Sequence, residues 1–329
     1  MSARELLFRV MLRLDPLRRA ANKMIVPLVR RREWRQRLNA FYEKFDADEK
    51  ALFQSLFAKA FTHGDQNVDA GQWNIRFESA RLRLPLRTGK IWLDWDNAVS
   101  IVGHDLEVKS TYGNLLRSTH RPQVFFDIGA NYGTHSLLFL ANGVRTVSFE
   151  PNPFCQEEFV ELCKLNDVEP ELVAQAVGDR FGEIEYWFPE RDTWLGSTVE
   201  STQKALITEH EVQRMPVKIG TIDEFVSTSG VNPDLIKIDT EGNELGVLKG
   251  ARKTIRAERP LIIFEANKLV ERESLWDEIV ECGNVICSLP FSFESKTSPL
   301  LRAAFLSSSD VNFIALPSEH ECVDRRSSS

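Results

Sequence analysis

Residues 124–153 read VFFDIGANYGTHSLLFLANGVRTVSFEPNP, and this stretch decides the fold. It opens with a short, continuously apolar run that leads into a loop containing Gly129 and Gly133, and Leu137, Leu138 and Leu140 then continue with helical spacing. A strand, a glycine turn and a helix in this order are typical of a parallel sheet that presents free backbone N–H groups at its ligand-binding edge. The stretch therefore predicts the first βα unit of such a sheet.

An acidic residue ends the second apolar run of this stretch. Glu150 lies 23 positions after Asp127, and an acid at about this distance is the usual partner of ribose hydroxyls in nucleotide-binding sheets. The glycines are spaced G-x-x-x-G, with an acid two residues before the first, which departs from the G-x-G-x-x-G of dinucleotide sites. The pattern favours S-adenosylmethionine (SAM) over a dinucleotide, and the alternative is that the glycines only make the turn.

Further apolar runs follow this unit, each separated from the next by a helical pattern. Near-continuous apolar strands spaced by helices predict an α/β fold with a mostly parallel sheet covered on both faces. The runs are Val144–Phe149, Leu172–Val177, Leu235–Ile238 and Leu261–Phe264.

The preceding residues follow other periodicities. From Trp73 to about Val102 apolar residues alternate with polar ones, which predicts short antiparallel strands. Before that, a three-to-four spacing predicts helices. The expected organisation is a basic helical extension at 1–62, a short-strand lead-in at 73–120, the α/β domain at 121–318 and a disordered tail at 319–329.

The charge is unevenly distributed along the chain. The whole sequence has a formal net charge of -7, but the first 40 residues contain eleven basic and three acidic residues. An acidic domain argues against a nucleic-acid partner. The basic helical stripe of residues 1–40 either rests on an anionic membrane surface or packs on the domain or a second subunit, which would give a homodimer. Five cysteines without a CxxC pair or zinc-like spacing predict a reducing, cytoplasmic location, with any membrane contact at its inner surface.

Two blocks of this sequence resemble the FkbM-type methyltransferase family. The first is VFFDIGANYGTHSLLFLANGVRTVSFEPNP at 124–153, and the second is PDLIKIDTEGNE at 233–244. Both lie in the order that the family shows, and the resemblance covers about residues 105 to 318. It implies a Rossmann-like methyltransferase sheet, SAM as the methyl donor, and O-methylation of a hydroxyl on a sugar, a glycan or a small secondary metabolite.

The motifs and the resemblance together assign candidate residues for donor binding. Gly129 is expected to let the backbone approach the ligand and Gly133 to let the new helix pack on the sheet. Ser136 is expected to bond the donor carboxylate, and the resemblance places Val177 at the adenine, where Asp179 could accept from the amino group. The full predicted set is Asp127, Gly129, Asn131, Gly133, Ser136, Glu150, Asn152, Val177 and Asp179.

The catalytic candidates are Asp239, Glu241 and His135. A hydroxyl acceptor needs a base, and the two acids follow a strand whose carboxyl end faces the ligand edge. The alternatives are that the acids cap a helix start together with Glu244, and that His135 packs on its helix face. Lys237 is either a salt-bridge residue or a neighbour of the acceptor.

Other functions and ligands are alternatives to this one. Trp194 could stack on a sugar or pack in the hydrophobic core. Glu265 is considered only as a candidate magnesium ligand together with Asp239 and Glu241. No fixed ligand spacing supports a metal, and none is predicted. The remaining alternatives are a non-catalytic module with the methyltransferase fold and a nucleotide-dependent oxidoreductase.

Overall fold

The computed structural model describes residues 72–85, 105–189, 195–267, 271–295 and 297–319, together with six residues between 31 and 44. The expectations for 1–62 therefore fall almost entirely outside the described residues. Those for Trp194 and the tail beyond residue 319 lie outside them as well.

Strands and helices alternate through most of the described chain. The strands are β1 (Gln72–Phe77), β2 (Ala80–Pro85), β3 (Val124–Ile128), β4 (Arg145–Phe149), β5 (Glu171–Val173), β6 (Ala176–Val177), β7 (Gly182–Pro189), β8 (Val212–Gly220), β9 (Leu235–Ile238), β10 (Leu261–Glu265), β11 (Asn284–Ser288) and β12 (Asn312–Pro317). The helices are α1 (Leu106–Arg117), α2 (Thr134–Leu140), α3 (Pro153–Leu165), α4 (Glu200–Glu209), α5 (Ile222–Ser229), α6 (Glu244–Gly250), α7 (Arg252–Glu258), α8 (Arg272–Glu281) and α9 (Arg302–Ser307).

The chain divides into two compact units, Met1–Lys109 and Ser110–Ser329. In the described part of the first unit, β1 and β2 pair antiparallel, as the period-two pattern predicts. Leu82 and Leu84 are buried on one face of this hairpin, and Arg81 is exposed on the other. The region expected to hold short strands also contains the helix α1, because its apolar residues recur at helical rather than alternating spacing.

The second unit is built on a seven-stranded sheet with the order β11-β12-β10-β9-β3-β4-β5. The five strands from β10 to β5 are parallel, and β12 runs antiparallel to both of its neighbours. The carboxyl ends of β3, β4, β9 and β10 therefore lie side by side along one edge.

Helices cover both faces of this sheet, which confirms the predicted fold class. Phe125 and Phe126 are successive residues of β3, so they point to opposite faces, yet both are fully buried. Phe125 packs on Phe139 of α2, with ring centroids 4.1 Å apart. On the other face, Phe126 packs edge-to-face on Phe225 of α5 at 5.6 Å.

One predicted strand is wrong in its extent. The run Leu172–Val177 forms two short strands in different sheets, because the chain turns after Val173, whose carbonyl accepts from the N–H of Gln175. The first, β5, ends the large sheet, and the second, β6, joins β8 and β7 in a three-stranded sheet. No helix among the described residues is both long and apolar enough to cross a bilayer.

Candidate active site

The glycine loop between β3 and α2 is held by backbone contacts. Gly129 has a φ of +81°, and its N–H and that of Ala130 both donate to the carbonyl of Phe149 at 3.0 Å. A Cβ at Gly129 would lie 1.8 Å from the carbonyl oxygen of Asp239. The sequence assigned this glycine to close approach of a ligand; the structure shows that it permits close approach of the chain that follows β9.

The second glycine also differs from its expected role. Gly133 precedes α2 in a left-handed conformation, with a φ of +73°. A Cβ there would lie 1.9 Å from the ring of Phe159 on α3. Gly133 therefore permits contact between the start of α2 and a neighbouring helix, whereas its sequence position suggested contact with the sheet.

Glu150 lies at the end of β4, as predicted, and its carboxylate is oriented by two backbone amides. The N–H of Asn131 donates to Oε2 and the N–H of Asn152 donates to Oε1, both at 2.8 Å. Burial raises the pKa of Glu150 to about 7, against the effect of these two hydrogen bonds, and the nearby Asp127 and Asp239 raise it further. Because each carboxylate oxygen has a second lone pair, Glu150 retains the capacity to accept from a hydroxyl group.

The side chain of Asn152 has a structural role instead of the predicted donor contact. It is fully buried, and its Oδ1 accepts from the N–H of Phe154, so it caps the N-terminus of α3. The side chain of Asn131 likewise accepts from the next backbone amide, that of Tyr132, at 2.8 Å. Its own conformation is left-handed, with a φ of +54°. For both residues, the contact with Glu150 is made by the backbone.

Asp127 and Ser136 bond to each other inside the fold. The hydroxyl of Ser136 donates to Oδ2 of Asp127 at 2.6 Å and lies 2.8 Å from the hydroxyl of Ser148. All three side chains are fully buried. The expectation that Ser136 bonds the donor carboxylate is therefore replaced by a structural one: it links α2 to the ends of β3 and β4.

Two candidates follow β9, and a lysine on that strand pairs with one of them. Nζ of Lys237 lies 2.9 Å from Oδ2 of Asp239 and 4.0 Å from Oδ1 of Asp127. The lysine side chain is 7% exposed and that of Asp239 is 34% exposed. Asp239 therefore presents a partly exposed carboxylate at the edge of the sheet, where it forms an ion pair with the buried Lys237. Of the two roles considered for Lys237, the structure shows the salt bridge.

Glu241 sits in a strained turn after β9. Its φ is +53°, and its carbonyl accepts from the hydroxyls of Ser197 and Thr202, which secure the turn. Burial raises the pKa of its carboxyl to about 7, and the neighbouring Asp239 and Glu244 raise it further. Glu241 thus belongs to the same electrostatic cluster as Asp239.

Glu244 has the structural role that its sequence position left open. Its Oε1 accepts from the N–H and the hydroxyl of Thr240 and from the N–H of Gly242, at 2.9, 3.0 and 3.2 Å. The residue is fully buried at the start of α6. It holds the turn that carries Glu241.

Glu265 belongs to the site, although the sequence suggested it only as a metal ligand. It ends β10, the strand next to β9, and Oε2 accepts from the side-chain amide of Asn267 at 2.9 Å. Burial raises its pKa to about 9, and Asp239 and Glu241 add to the shift. The available signal was an acid directly after a predicted parallel strand, the same signal that identified Asp239.

The remaining candidates are not brought into this cluster by the contacts that the structure records. His135 packs on α1: its Nδ1 lies 3.0 Å from the hydroxyl of Tyr112, and the rings meet edge to face. Val177 is buried, and its carbonyl accepts from Asn243 at 2.9 Å. Asp179 is exposed in the bend after β6. Among the described residues, no group of three His, Cys, Asp or Glu side chains could hold a metal ion.

Comparisons with known proteins agree with the motifs. Residues 127–286 match the family model described as Methyltransferase FkbM domain. Over 153 residues the chain is 28% identical to a protein of Haloferax volcanii named hexuronic acid methyltransferase AglP, and the alignment covers 45% of this chain and 58% of that protein. The chain therefore spans little more than half the length of this curated relative.

Solved structures with a similar backbone include the FkbM methyltransferase of Methylobacillus flagellatus KT. It is 15% identical, with a TM-score of 0.38 over 67% of this chain and 54% of that one. A SAM-dependent methyltransferase from Agrobacterium tumefaciens is 7% identical, with a TM-score of 0.37 over 76% of this chain and 71% of that one. Likeness at this level adds nothing to the fold assignment, which rests on the strand order and the two helical layers. Residues 127–286 thus match the FkbM methyltransferase domain, in agreement with the two sequence blocks.

Proposed function

We propose that this protein is a SAM-dependent methyltransferase that methylates a hydroxyl group of a sugar, a glycan or a small metabolite. The observation that carries the proposal is the cluster of carboxylates at the carboxyl edge of the parallel sheet, beside the glycine loop. Ligands of open α/β sheets bind at this edge. The cluster comprises Asp127, Glu150, Asp239, Glu241 and Glu265, each of which interacts electrostatically with at least one other member.

The chemistry of these residues fits the donor. SAM carries a positive sulfonium and an ammonium group, and a site rich in carboxylates attracts a cation. The carboxylate of Glu150, oriented by two backbone amides, is suited to accept hydrogen bonds from the two hydroxyls of a ribose. The exposed Asp179 is suited to accept from an adenine amino group.

Asp239 is the residue suited to take the acceptor's proton. When bound, SAM supplies a methyl group on a positively charged sulfur, and the sulfur keeps the C–S bonding pair and leaves as a neutral thioether. No anion needs stabilising, so the protein's tasks are to align the acceptor oxygen and to remove its proton. Of Asp127 and Asp239, the two acids that Lys237 contacts, Asp239 is the more exposed, and it can pass that proton on to solvent.

A sugar acceptor is supported by the relative from Haloferax volcanii, whose name states that it acts on a hexuronic acid. The described cysteines Cys155, Cys163, Cys282 and Cys287 are buried thiols that form no disulfide, which supports a reducing, cytoplasmic location. Contact of residues 1–40 with a membrane surface, and a homodimer, remain predictions.

Calorimetry with S-adenosylhomocysteine tests the proposal. We expect binding to the wild-type protein and weaker binding to Glu150→Ala, because the variant loses the ribose acceptor. Glu171→Ala is the matched control, since Glu171 pairs with Arg145 on the exposed surface. Absence of binding by folded wild-type protein would reject a SAM-dependent enzyme, and thermal stabilisation by NAD instead would favour an oxidoreductase.

The transfer itself is tested with labelled SAM and a panel of saccharides that includes uronic acids. Methylated product identified by mass spectrometry would support the enzyme. Binding without transfer to any member of a broad panel would favour a non-catalytic module with the same fold.

A further inference from the structure

Tyr186 is a buried titratable residue to which the proposed function assigns no role. It lies on β7, in the three-stranded sheet, and only 6% of it is exposed. A phenol hydroxyl that is removed from water normally finds a hydrogen-bond partner, because leaving it unpaired is costly. The surroundings of this hydroxyl therefore indicate what the tyrosine does.

The ring of Tyr186 belongs to a row of aromatic rings that leads to the end of β4. It stacks on Phe188, with ring centroids 5.8 Å apart. Phe188 in turn packs on Phe154 at 5.7 Å. The N–H of Phe154 donates to Oδ1 of Asn152, the residue that caps α3. The row thus connects the three-stranded sheet with the segment that follows Glu150.

The hydroxyl of Tyr186 reaches the same segment. It shares a hydrogen bond with the side chain of Asn152, and it interacts electrostatically with Glu150 and Glu241. Burial, followed by the charge of Glu150, holds the pKa of Tyr186 well above its usual range, so the hydroxyl keeps its proton. A neutral hydroxyl group is therefore present near both the acid that ends β4 and the acid in the turn after β9.

Gly196 leaves the space that this hydroxyl occupies. A Cβ at position 196 would lie 1.8 Å from the hydroxyl oxygen of Tyr186 and 2.2 Å from the ring carbon that bears it. The φ of Gly196 is not in the left-handed region, so its backbone conformation does not require a glycine. What this position requires is the absence of a side chain next to the tyrosine hydroxyl.

The residue after Gly196 joins this contact to the turn after β9. The backbone of Ser197 pairs with that of Trp187, the neighbour of Tyr186 on β7. The hydroxyl of Ser197 donates to the carbonyl of Glu241 at 2.9 Å. The strand that carries the tyrosine is thereby linked to the turn that carries Glu241.

We propose that Tyr186 is a positioning residue that holds Glu150 in place for the ribose of the donor. The connection runs through Asn152, whose side chain bonds the tyrosine hydroxyl and whose backbone N–H donates to Oε1 of Glu150 at 2.8 Å. The hydroxyl restrains the side chain of Asn152, and with it the N–H that is directed at the carboxylate. This inference rests on the proposed function, in which Glu150 accepts from the ribose hydroxyls.

Calorimetry with S-adenosylhomocysteine tests this role in the full-length protein. Tyr186→Phe keeps the ring and its stacking on Phe188 and removes only the hydroxyl. We expect its affinity for S-adenosylhomocysteine to be about three- to tenfold lower than that of the wild type, the usual effect of losing one hydrogen bond. Tyr112→Phe is the matched control, because Tyr112 is also fully buried and its hydroxyl bonds His135, outside the cluster. It should leave the affinity unchanged.

A double-mutant cycle separates positioning from packing. In Glu150→Ala the carboxylate is gone, so removing the hydroxyl of Tyr186 should have no further effect on affinity. An equal loss of affinity with and without the carboxylate would overturn the proposal, since the tyrosine would then act by another route. A tyrosine that only fills the core would lower the melting temperature of Tyr186→Phe and leave its affinity unchanged, which would overturn the proposal as well.

The outcomes distinguish this inference from the proposed function. Absence of S-adenosylhomocysteine binding by folded wild-type protein would reject the function and this inference with it. Binding by the wild type together with undiminished binding by Tyr186→Phe would reject only the role of the tyrosine. If Tyr186→Phe does not fold, Gly196→Ala decides, because its methyl group would displace the hydroxyl from Asn152. We expect that variant to bind more weakly than the wild type, and unchanged affinity would overturn the proposal.

Discussion

Substitution of Gly129 by alanine probes how the glycine loop and the chain that follows β9 are packed together. An alanine at position 129 would have to adopt the left-handed φ of +81°, which destabilises the folded state by about 1–2 kcal/mol. Its Cβ would also lie 1.8 Å from the carbonyl oxygen of Asp239, far inside the ordinary contact distance. Relieving such an overlap costs about 1–3 kcal/mol. We therefore expect Gly129→Ala to lower the free energy of unfolding by about 2–5 kcal/mol.

Gly143→Ala is the matched control for this substitution. Gly143 has a φ of +77°, but no atom lies within 4 Å of where its Cβ would be. The free energy of unfolding of Gly143→Ala should therefore fall only by the cost of the left-handed conformation, about 1–2 kcal/mol. Urea denaturation gives the difference between the variants, and calorimetry with S-adenosylhomocysteine should show weaker binding for Gly129→Ala alone. Equal losses of stability in both variants would mean that the contact between the loop and Asp239 carries no energy, and would refute the reasoning.

Three other outcomes are expected. Asn152→Ala should lower the free energy of unfolding by about 1 kcal/mol in urea denaturation, because α3 loses its cap. Burial raises the pKa of Glu265 from its ordinary value of 4.5 to about 9, so the folded state binds this proton more tightly than the unfolded state. Stability should therefore fall as pH rises from about 5 to 9, and less steeply in Glu265→Gln, as denaturation across that range would show. Full-length protein should co-sediment with anionic vesicles more than a variant with Arg30, Arg31 and Arg32 changed to Gln; equal partitioning would reject membrane contact through residues 1–40.

The parallel sheet could be predicted because its strands are short and nearly continuously apolar. VFFDI, LIKI and LIIFE are buried on both faces, so their composition alone sets them apart from loops and amphipathic helices. The position of Asp239 followed from the same pattern, since the carboxyl ends of parallel strands share an edge. The local sequence was sufficient to predict an element wherever the burial of that segment determines its structure.

The individual contacts within the loop could not be predicted, because they depend on residues far away in the chain. Gly129 meets the backbone of Asp239, and Gly133 meets the ring of Phe159. The Ser136 hydroxyl is used by Asp127 and Ser148, which lie on two different strands. Each of these roles is determined by packing between separate elements. The spacing of residues within a motif carries no information about such packing.

The buried carboxylates of the cluster lower the stability of the folded protein, and this loss of stability can be related to ligand binding. The raised pKa values of Glu150, Glu241 and Glu265 mean that the folded state favours their neutral forms, so their ionised forms destabilise it near neutral pH. Lys237, the lysine paired with Asp127 and Asp239, cannot compensate so many acids. A bound cation would favour the ionised carboxylates, and under the proposed function the acidic residues that cost stability in the free protein would then contribute to affinity for the donor. Under the proposed function the acidic domain needs no further basic residues at this edge, because the cationic donor itself would bring the positive charge.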